Sequence, residues 1–313
     1  MWPGPLRSFC PPQSGLGSRV GGGYRAGMTR IDVGRTVLGY EEAGEGPAVV
    51  LVHAAAADRR MWDHQFDALA ERYRVVRYDW RGYGDSDDAE GPVAHYADLL
   101  ALLDTLSIGR AALVGSSMGG AHAVDATLVA PEGVGALALV CPGMTGRAWP
   151  PEFVEAGRRA VSGAVPPERL AVYRAGNADP DPADVAAMAE AQARFMVAGP
   201  DRAAEDLPVE VWDKALLMYR ALLQRMWSGP PTEMVWPDPS AGGRLGEIEA
   251  PTLVVKGLAD VPGIQDVATE YATGIPGARR LEMPDTGHLP PVERPEEFTA
   301  ALAGFLADTL PSH

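Results

Sequence analysis

Six strand candidates, at residues 49–52, 73–78, 111–114, 136–140, 252–255 and 280–283, constrain this chain more than any other feature of its sequence. Segments with helical periodicity lie between and after them, at 61–72, 93–106, 118–129, 263–272 and 295–310. Those at 49–52, 111–114, 136–140 and 252–255 are short apolar runs without the polar alternation of a half-exposed strand, which fits a sheet covered on both faces. Strands that alternate with helices build parallel crossover units. The predicted fold class is therefore α/β, a mostly parallel central sheet with helices on both faces.

The rhythm stops once. Between residues 144 and 245 no strand run is evident, and helical stretches at 152–161, 167–174, 183–197 and 209–226 are separated by proline-rich joints such as Gly229-Pro230-Pro231. The expected organisation is a core of residues 28–143 and 246–313 interrupted by a helical cap at 144–245. Residues 1–27 show no periodicity and no apolar core of a secretory leader, so they are expected to be a disordered extension. Met28 opens the first patterned segment and is as good a candidate start as Met1.

Composition removes several function classes. A formal net charge of −15 disfavours nucleic acid and anionic membranes, both of which select clustered Lys and Arg. No apolar stretch reaches the roughly 18 residues of a membrane span. Cys10 and Cys141 provide neither a tetrahedral ligand spacing nor an evident disulfide. The expectation is a cytoplasmic protein acting on a small molecule, with no metal and no cofactor.

The chemistry is concentrated at Leu113-Val114-Gly115-Ser116-Ser117-Met118-Gly119-Gly120. An apolar strand runs into G-x-S-x-G and a helical pattern follows, the pattern of a nucleophile elbow. Small residues flank the serine because strand and helix backbones approach closely there. A chance match in a chain with 36 glycines is the bland alternative, and the flanking strand and helix argue against it. Ser117 at the motif's centre is the candidate nucleophile. A serine hydroxyl needs an imidazole to take its proton, and His288, after the last strand and before the last helix, is the candidate base. His64 and His95 read as exposed helix positions, His122 lies on the helix after the elbow, and His313 is terminal. Asp260, after the 252–255 strand, is the candidate that orients the imidazole; Asp285 is its rival, with a turn-capping role as the alternative. The backbone N–H groups of Met118 and Ala55 are the candidate oxyanion-hole donors.

Taken in order, these motifs resemble the α/β-hydrolase superfamily over residues 31–310. Asp79-Trp80-Arg81-Gly82-Tyr83-Gly84-Asp85-Ser86 resembles its D-x-R-G-x-G-x-S loop, and His288 through Pro295 resembles its H-x-x-x-x-E-x-P ending. The departure is at His53, which is followed by four alanines where the family usually has glycine; the resemblance implies that His53 ties this loop down. Asp58-Arg59-Arg60-Met61-Trp62-Asp63-His64-Gln65 is similar to a stretch of 3-oxoadipate enol-lactonases. The resemblance implies a serine hydrolase, either an esterase or lactonase or a carbon–carbon hydrolase of dienol ring-cleavage products. A non-catalytic binding protein on the same fold is the third reading. Met144, Trp149, Phe195, Met196, Tyr219, Met226 and Trp227 read as cap core or pocket lining. Arg174, Arg194, Arg202, Arg220 and Arg225 are candidate carboxylate anchors.

Overall fold

The computed structural model describes residues 18–20, 23–89 and 91–311. In chain order the amino-terminal half places β1 (Ser18–Val20), β2 (Gly23–Asp32), β3 (Val37–Ala43), β4 (Ala48–Val52), α1 (Asp63–Leu69) and β5 (Arg74–Tyr78). The short β6 (Pro92–Val93), α2 (His95–Thr105), β7 (Ala111–Ser116), α3 (Met118–Val129) and β8 (Val134–Val140) follow. The interruption holds α4 (Pro151–Ala160), α5 (Pro167–Arg174), α6 (Pro182–Ala193), α7 (Val209–Ser228) and β9 (Glu233–Met234). The chain then returns to the sheet with β10 (Thr252–Gly257), α8 (Pro262–Gly274), β11 (Arg279–Met283), α9 (Pro290–Glu293) and α10 (Pro295–Thr309).

The main sheet runs β1-β2-β3-β5-β4-β7-β8-β10-β11. Every pair from β5 to β11 is parallel, whereas β1, β2 and β3 add to one edge antiparallel. Its centre is apolar on both faces: β7 and β8 are buried along their whole length, and β4 at all but its first residue. Two apolar clusters result. One contains Phe66, Trp62 and Phe298 and continues into the inserted helices through Met188, Met218 and Trp227. The other contains Trp80, Leu99, Leu113 and Tyr271.

Three expectations are corrected. Residues 18–20 and 23–27 were expected to lack structure, yet they are strand, with Arg25 opposite Ala43 on β3. A ladder needs backbone groups and no apolar pattern, so a polar, glycine-rich segment can extend an edge without announcing it. The rest of that expectation, at residues 1–17 and 21–22, lies outside the described residues. The strands before residue 48 also escaped notice because β3 is half-buried and carries Glu41 and Glu42. Finally, the insertion does contain a strand: β9 pairs in parallel with β6, and Val235 N–H donates to Val93 O at 2.7 Å. This small sheet stitches the end of the insertion to the core. No described helix is long and apolar enough to cross a membrane.

Candidate active site

Ser117 sits at the end of β7 with φ 54° and ψ −124°, in the sparsely populated region that an elbow enforces. Crowding explains the flanking glycines. A Cβ on Gly115 would lie 2.4 Å from Gly119 O, and one on Gly119 would lie 2.2 Å from His53 O. The turn is closed by Ser117 N–H donating to Val140 O at 2.9 Å, and by Gly143 N–H donating to Ser117 O at 2.8 Å. The hydroxyl therefore projects at the carboxyl edge of the sheet, beyond a helix start that favours negative charge.

His288 reaches it from the loop after β11. Its Nε2 lies 2.9 Å from Ser117 Oγ, and its Nδ1 donates to Asp260 Oδ2 at 2.7 Å. Because a carboxylate accepts, the proton rests on Nδ1 and the Nε2 lone pair faces the serine hydroxyl. Asp260 is itself fixed by Val261 N–H, which donates to Oδ1 at 2.7 Å. His288 and Asp260 are each 1% exposed and Ser117 9%, so the relay is shielded everywhere but at the serine. Asp285, the rival acid, sits in a left-handed turn at φ 51°, and His288 makes its carboxylate contact with Asp260 instead.

A family model described as the alpha/beta hydrolase family matches residues 49–301. The chain belongs to that family. A 2-hydroxy-6-oxononadienedioate/2-hydroxy-6-oxononatrienedioate hydrolase of Paraburkholderia phymatum is 31% identical, over 85% of this chain and 90% of its own. Two solved structures are also similar. A thermophilic esterase from Thermogutta terrifontis has a TM-score of 0.71 and 27% identity, covering 92% of this chain and 99% of its own. The enol-lactonase from Burkholderia xenovorans LB400 has a TM-score of 0.64 and 26% identity, covering 89% and 100%.

Two motifs of this hydrolase serve as scaffolding. In the first, the buried Asp79 carboxylate accepts from Arg59 N–H at 2.9 Å and Asp85 N–H at 2.9 Å and pairs with the Arg59 guanidinium. Arg81 pairs with Asp98 at 2.5 Å, so the loop carrying Trp80 and Tyr83 is pinned at both ends. The second is the lactonase-like stretch. Asp58 caps the turn Arg59–Trp62, Trp62 is buried near the Phe298 ring, and Gln65 Nε2 donates to Thr299 Oγ1 at 3.0 Å. No residue from 58 to 65 lines the cavity beside Ser117, so this likeness reports packing rather than substrate contact.

His53 keeps the loop-tying part implied for it. Trp80 N–H donates to its Nε2 at 3.1 Å and its Nδ1 donates to Ala54 O at 2.8 Å, which fixes the tautomer. Burial pushes its pKa down. Ala57 N–H donates to Ala54 O at 3.0 Å, closing a tight turn that leaves Ala55 at its tip.

A cavity of about 520 Å³ lies beside the elbow. Ala55 and Met118 line it; Ser117, the residue before Met118, is not itself among the lining residues, nor are His288 and Asp260. The N–H of Met118 heads α3, where the helix provides no acceptor. Of the aromatic and Met candidates in the insertion, Met226 and Trp227 line the cavity, as do Tyr173, Met234 and Trp236, which were not among the candidates, whereas Trp149, Phe195 and Met196 pack against Cys141, Val261 and Ile264. Met144 and Tyr219 are core. Of the arginines, Arg174 and Arg225 line it. Arg225 is engaged with Asp88 at 2.8 Å and with the Gly84 and Ser86 carbonyls. Arg194 pairs with Glu190 at 2.9 Å, and Arg220 lies at a separate surface depression.

Arg202 has a different task, which the sequence reading missed. Its guanidinium pairs with Glu293 at 2.9 Å and donates to Asp285 O at 2.9 Å, while the Glu293 carboxylate accepts from Gly287 N–H at 3.0 Å. The insertion thus holds the loop that carries His288. Glu293 belongs to the recognised ending, but its partner lies 91 residues away and no local pattern reveals it. His95 also differs from expectation: it is buried among Trp80, Tyr83 and His122 rather than exposed. His64 is 40% exposed at its side chain and contacts Thr299 at 3.0 Å; His313 lies outside the described residues.

Among the described residues, Cys141, Asp260 and His288 have donor atoms within 4.8 Å of one another, the arrangement a metal would need. Asp260 and His288 spend theirs on each other. Burial pushes the Cys141 thiol up, and its sulfur accepts from Gly257 N–H at 3.4 Å. The trio is accounted for by these hydrogen bonds.

Proposed function

We propose that this alpha/beta hydrolase is a serine hydrolase that cleaves a small ester or lactone through an acyl-enzyme on Ser117. The observation that carries the reading is the 2.9 Å and 2.7 Å relay from Ser117 through His288 to Asp260 on a strained elbow. In this reading Ser117 Oγ attacks the carbonyl carbon as its proton passes to His288 Nε2, and Asp260 stabilises the imidazolium. The N–H groups of Met118 and Ala55 receive the developing oxyanion. The C–O bond then breaks, His288 protonates the departing alkoxide, and water activated by the same imidazole hydrolyses the acyl-enzyme.

The helices of residues 144–245 act as a cap, since Met226 and Trp227 roof a cavity whose volume suits a small molecule. Arg174, on the cavity wall, has no ion-pair partner among the described residues and is the anchor for a substrate carboxylate. The similarity to an esterase and an enol-lactonase supports this reading. Similarity to a dienedioate hydrolase favours a second one, carbon–carbon cleavage by the same residues. A panel of short esters, lactones and 2-hydroxy-6-oxo dienoates, assayed with the wild type and Ser117→Ala, separates the two. Turnover of esters or lactones supports the first reading, and turnover confined to dienoates replaces it with the second.

A further inference from the structure

A second set of polar groups lies on the cavity wall away from the relay. Trp80, His95 and His122 all line the cavity and are respectively 2%, 4% and 1% exposed. Trp80 Nε1, His95 Nδ1 and both nitrogens of His122 are buried without a hydrogen-bond partner. Among the described residues with such orphaned atoms, these three alone line this cavity. The contrast with His53 is instructive, because both of its nitrogens are satisfied a ring's width away, with His53 and Trp80 stacked at 4.3 Å. Buried polar atoms of a folded chain are normally paired, and a clustered exception beside a cavity indicates a group that arrives from outside.

The packing defines what that group is. The His95 and His122 rings lie 5.0 Å apart, Trp80 is 4.9 Å from one and 4.6 Å from the other, and Trp236 of the insertion stacks on His122 at 5.6 Å. Burial holds His95 down to about 3 and His122 well below its ordinary value, so both imidazoles are neutral near pH 7. A neutral imidazole carries one N–H and one lone pair. That pair of functions suits a carbonyl or hydroxyl and does little for a carboxylate, which an unpaired guanidinium serves better.

We propose that His95 and His122 form a subsite that hydrogen-bonds an uncharged oxygen, carbonyl or hydroxyl, on the part of the substrate remote from the cleaved bond. The subsite deepens the hydrolase reading and rests on it. Because these nitrogens are shielded by their neighbours, the subsite requires that a ring turn about Cβ–Cγ to present one to the cavity. His95 and His122 are then specificity-determining residues, and a substrate that lacks the oxygen leaves them unpaired.

The test compares kcat/KM for methyl 5-oxohexanoate, methyl 5-hydroxyhexanoate and methyl hexanoate in wild type, His95→Phe and His122→Phe, the phenyl ring preserving the aromatic packing. Wild type is expected to favour the oxygenated esters tenfold or more, and the ratio to fall towards one in either variant. A wild-type ratio of one, or a ratio unchanged in both variants, overturns the subsite. Hydrolysis of none of the three esters would instead strike the ester reading. Binding is therefore also measured in Ser117→Ala, by the imidazole ¹⁵N shifts of His95 and His122. Methyl 5-oxohexanoate should move those resonances and methyl hexanoate should leave them in place. This readout serves equally if the phenylalanine variants do not fold, and no movement with the keto ester overturns the proposal.

Discussion

Gly119 shows how little room single atoms leave at the elbow. A methyl group there meets the His53 and Val52 carbonyls at 2.2 and 2.5 Å, and neither can retreat without moving the loop that carries Ala55. Gly119→Ala is therefore expected to cost at least about a hundredfold in kcat, the scale of losing an oxyanion donor, alongside a lower Tm. A variant with normal kcat would show that the elbow yields more easily than its contacts imply. Asp260→Asn removes the acceptor that keeps the His288 proton on Nδ1 and should lower kcat by about 10⁴ with the fold intact. If that variant works normally while Asp285→Asn fails, the orienting part passes to Asp285. Ser117 and Asp260 were legible because each follows a short apolar run, at 111–114 and 252–255, whereas His288 follows the mixed Arg279–Met283 strand and was legible through the ending it opens. The burial of His95 was not, since its box is assembled from the loop holding Trp80, the helix holding His122 and, in the insertion, Trp236.

Elements were legible in proportion to how completely they are buried. β4, β7, β8 and β10 are almost wholly apolar inside, so their sequences show runs that no surface segment carries. β2 and β3 mix charged, polar and apolar residues without a regular period, and β6 and β9 are two residues each, too short for any period to show. The insertion was legible as helices, but not for what ties it to the core. Arg202→Met tests that tie. Losing the bonds to Glu293 and the Asp285 carbonyl frees the His288 loop, so kcat should fall roughly tenfold or more, as for displaced catalytic groups, with KM changed less. Circular dichroism should stay that of the wild type. Equal loss in KM alone would mean that Arg202 meets substrate rather than positioning the loop. The strand correction has its own test: deletion of residues 1–27 removes β1 and the start of β2, and a lower Tm is expected. An unchanged Tm would mean that this edge adds no stability.

Over the whole molecule, buried titratable groups set opposite trends with pH. Asp125 is fully buried; Thr145 donates to its Oδ1 at 2.7 Å, its Oδ2 has no partner, and burial pushes it up to about 6. A folded pKa above the unfolded value means its contribution is complete below about pH 4 and is lost as pH rises through 6. Asp125→Asn should therefore gain stability over wild type at pH 8, by about 2 kcal/mol or less, and lose that advantage at pH 4. A constant difference across this range would contradict the assignment. His95, held down to about 3 against an ordinary 6.5, works in the other direction: stability is complete above 6.5 and falls as pH drops toward 3. Neither group hydrogen-bonds Ser117, His288 or Asp260, and the proposed bond cleavage stands on Ser117. The direct test is intact-protein and peptide mass spectrometry after treatment with a fluorophosphonate, with ester hydrolysis measured in parallel. One adduct on Ser117 is expected, with the Ser117→Ala protein unlabelled and its turnover reduced by about 10⁶. Full labelling of Ser117→Ala, or wild-type turnover in that variant, would place the nucleophile elsewhere and contradict the account.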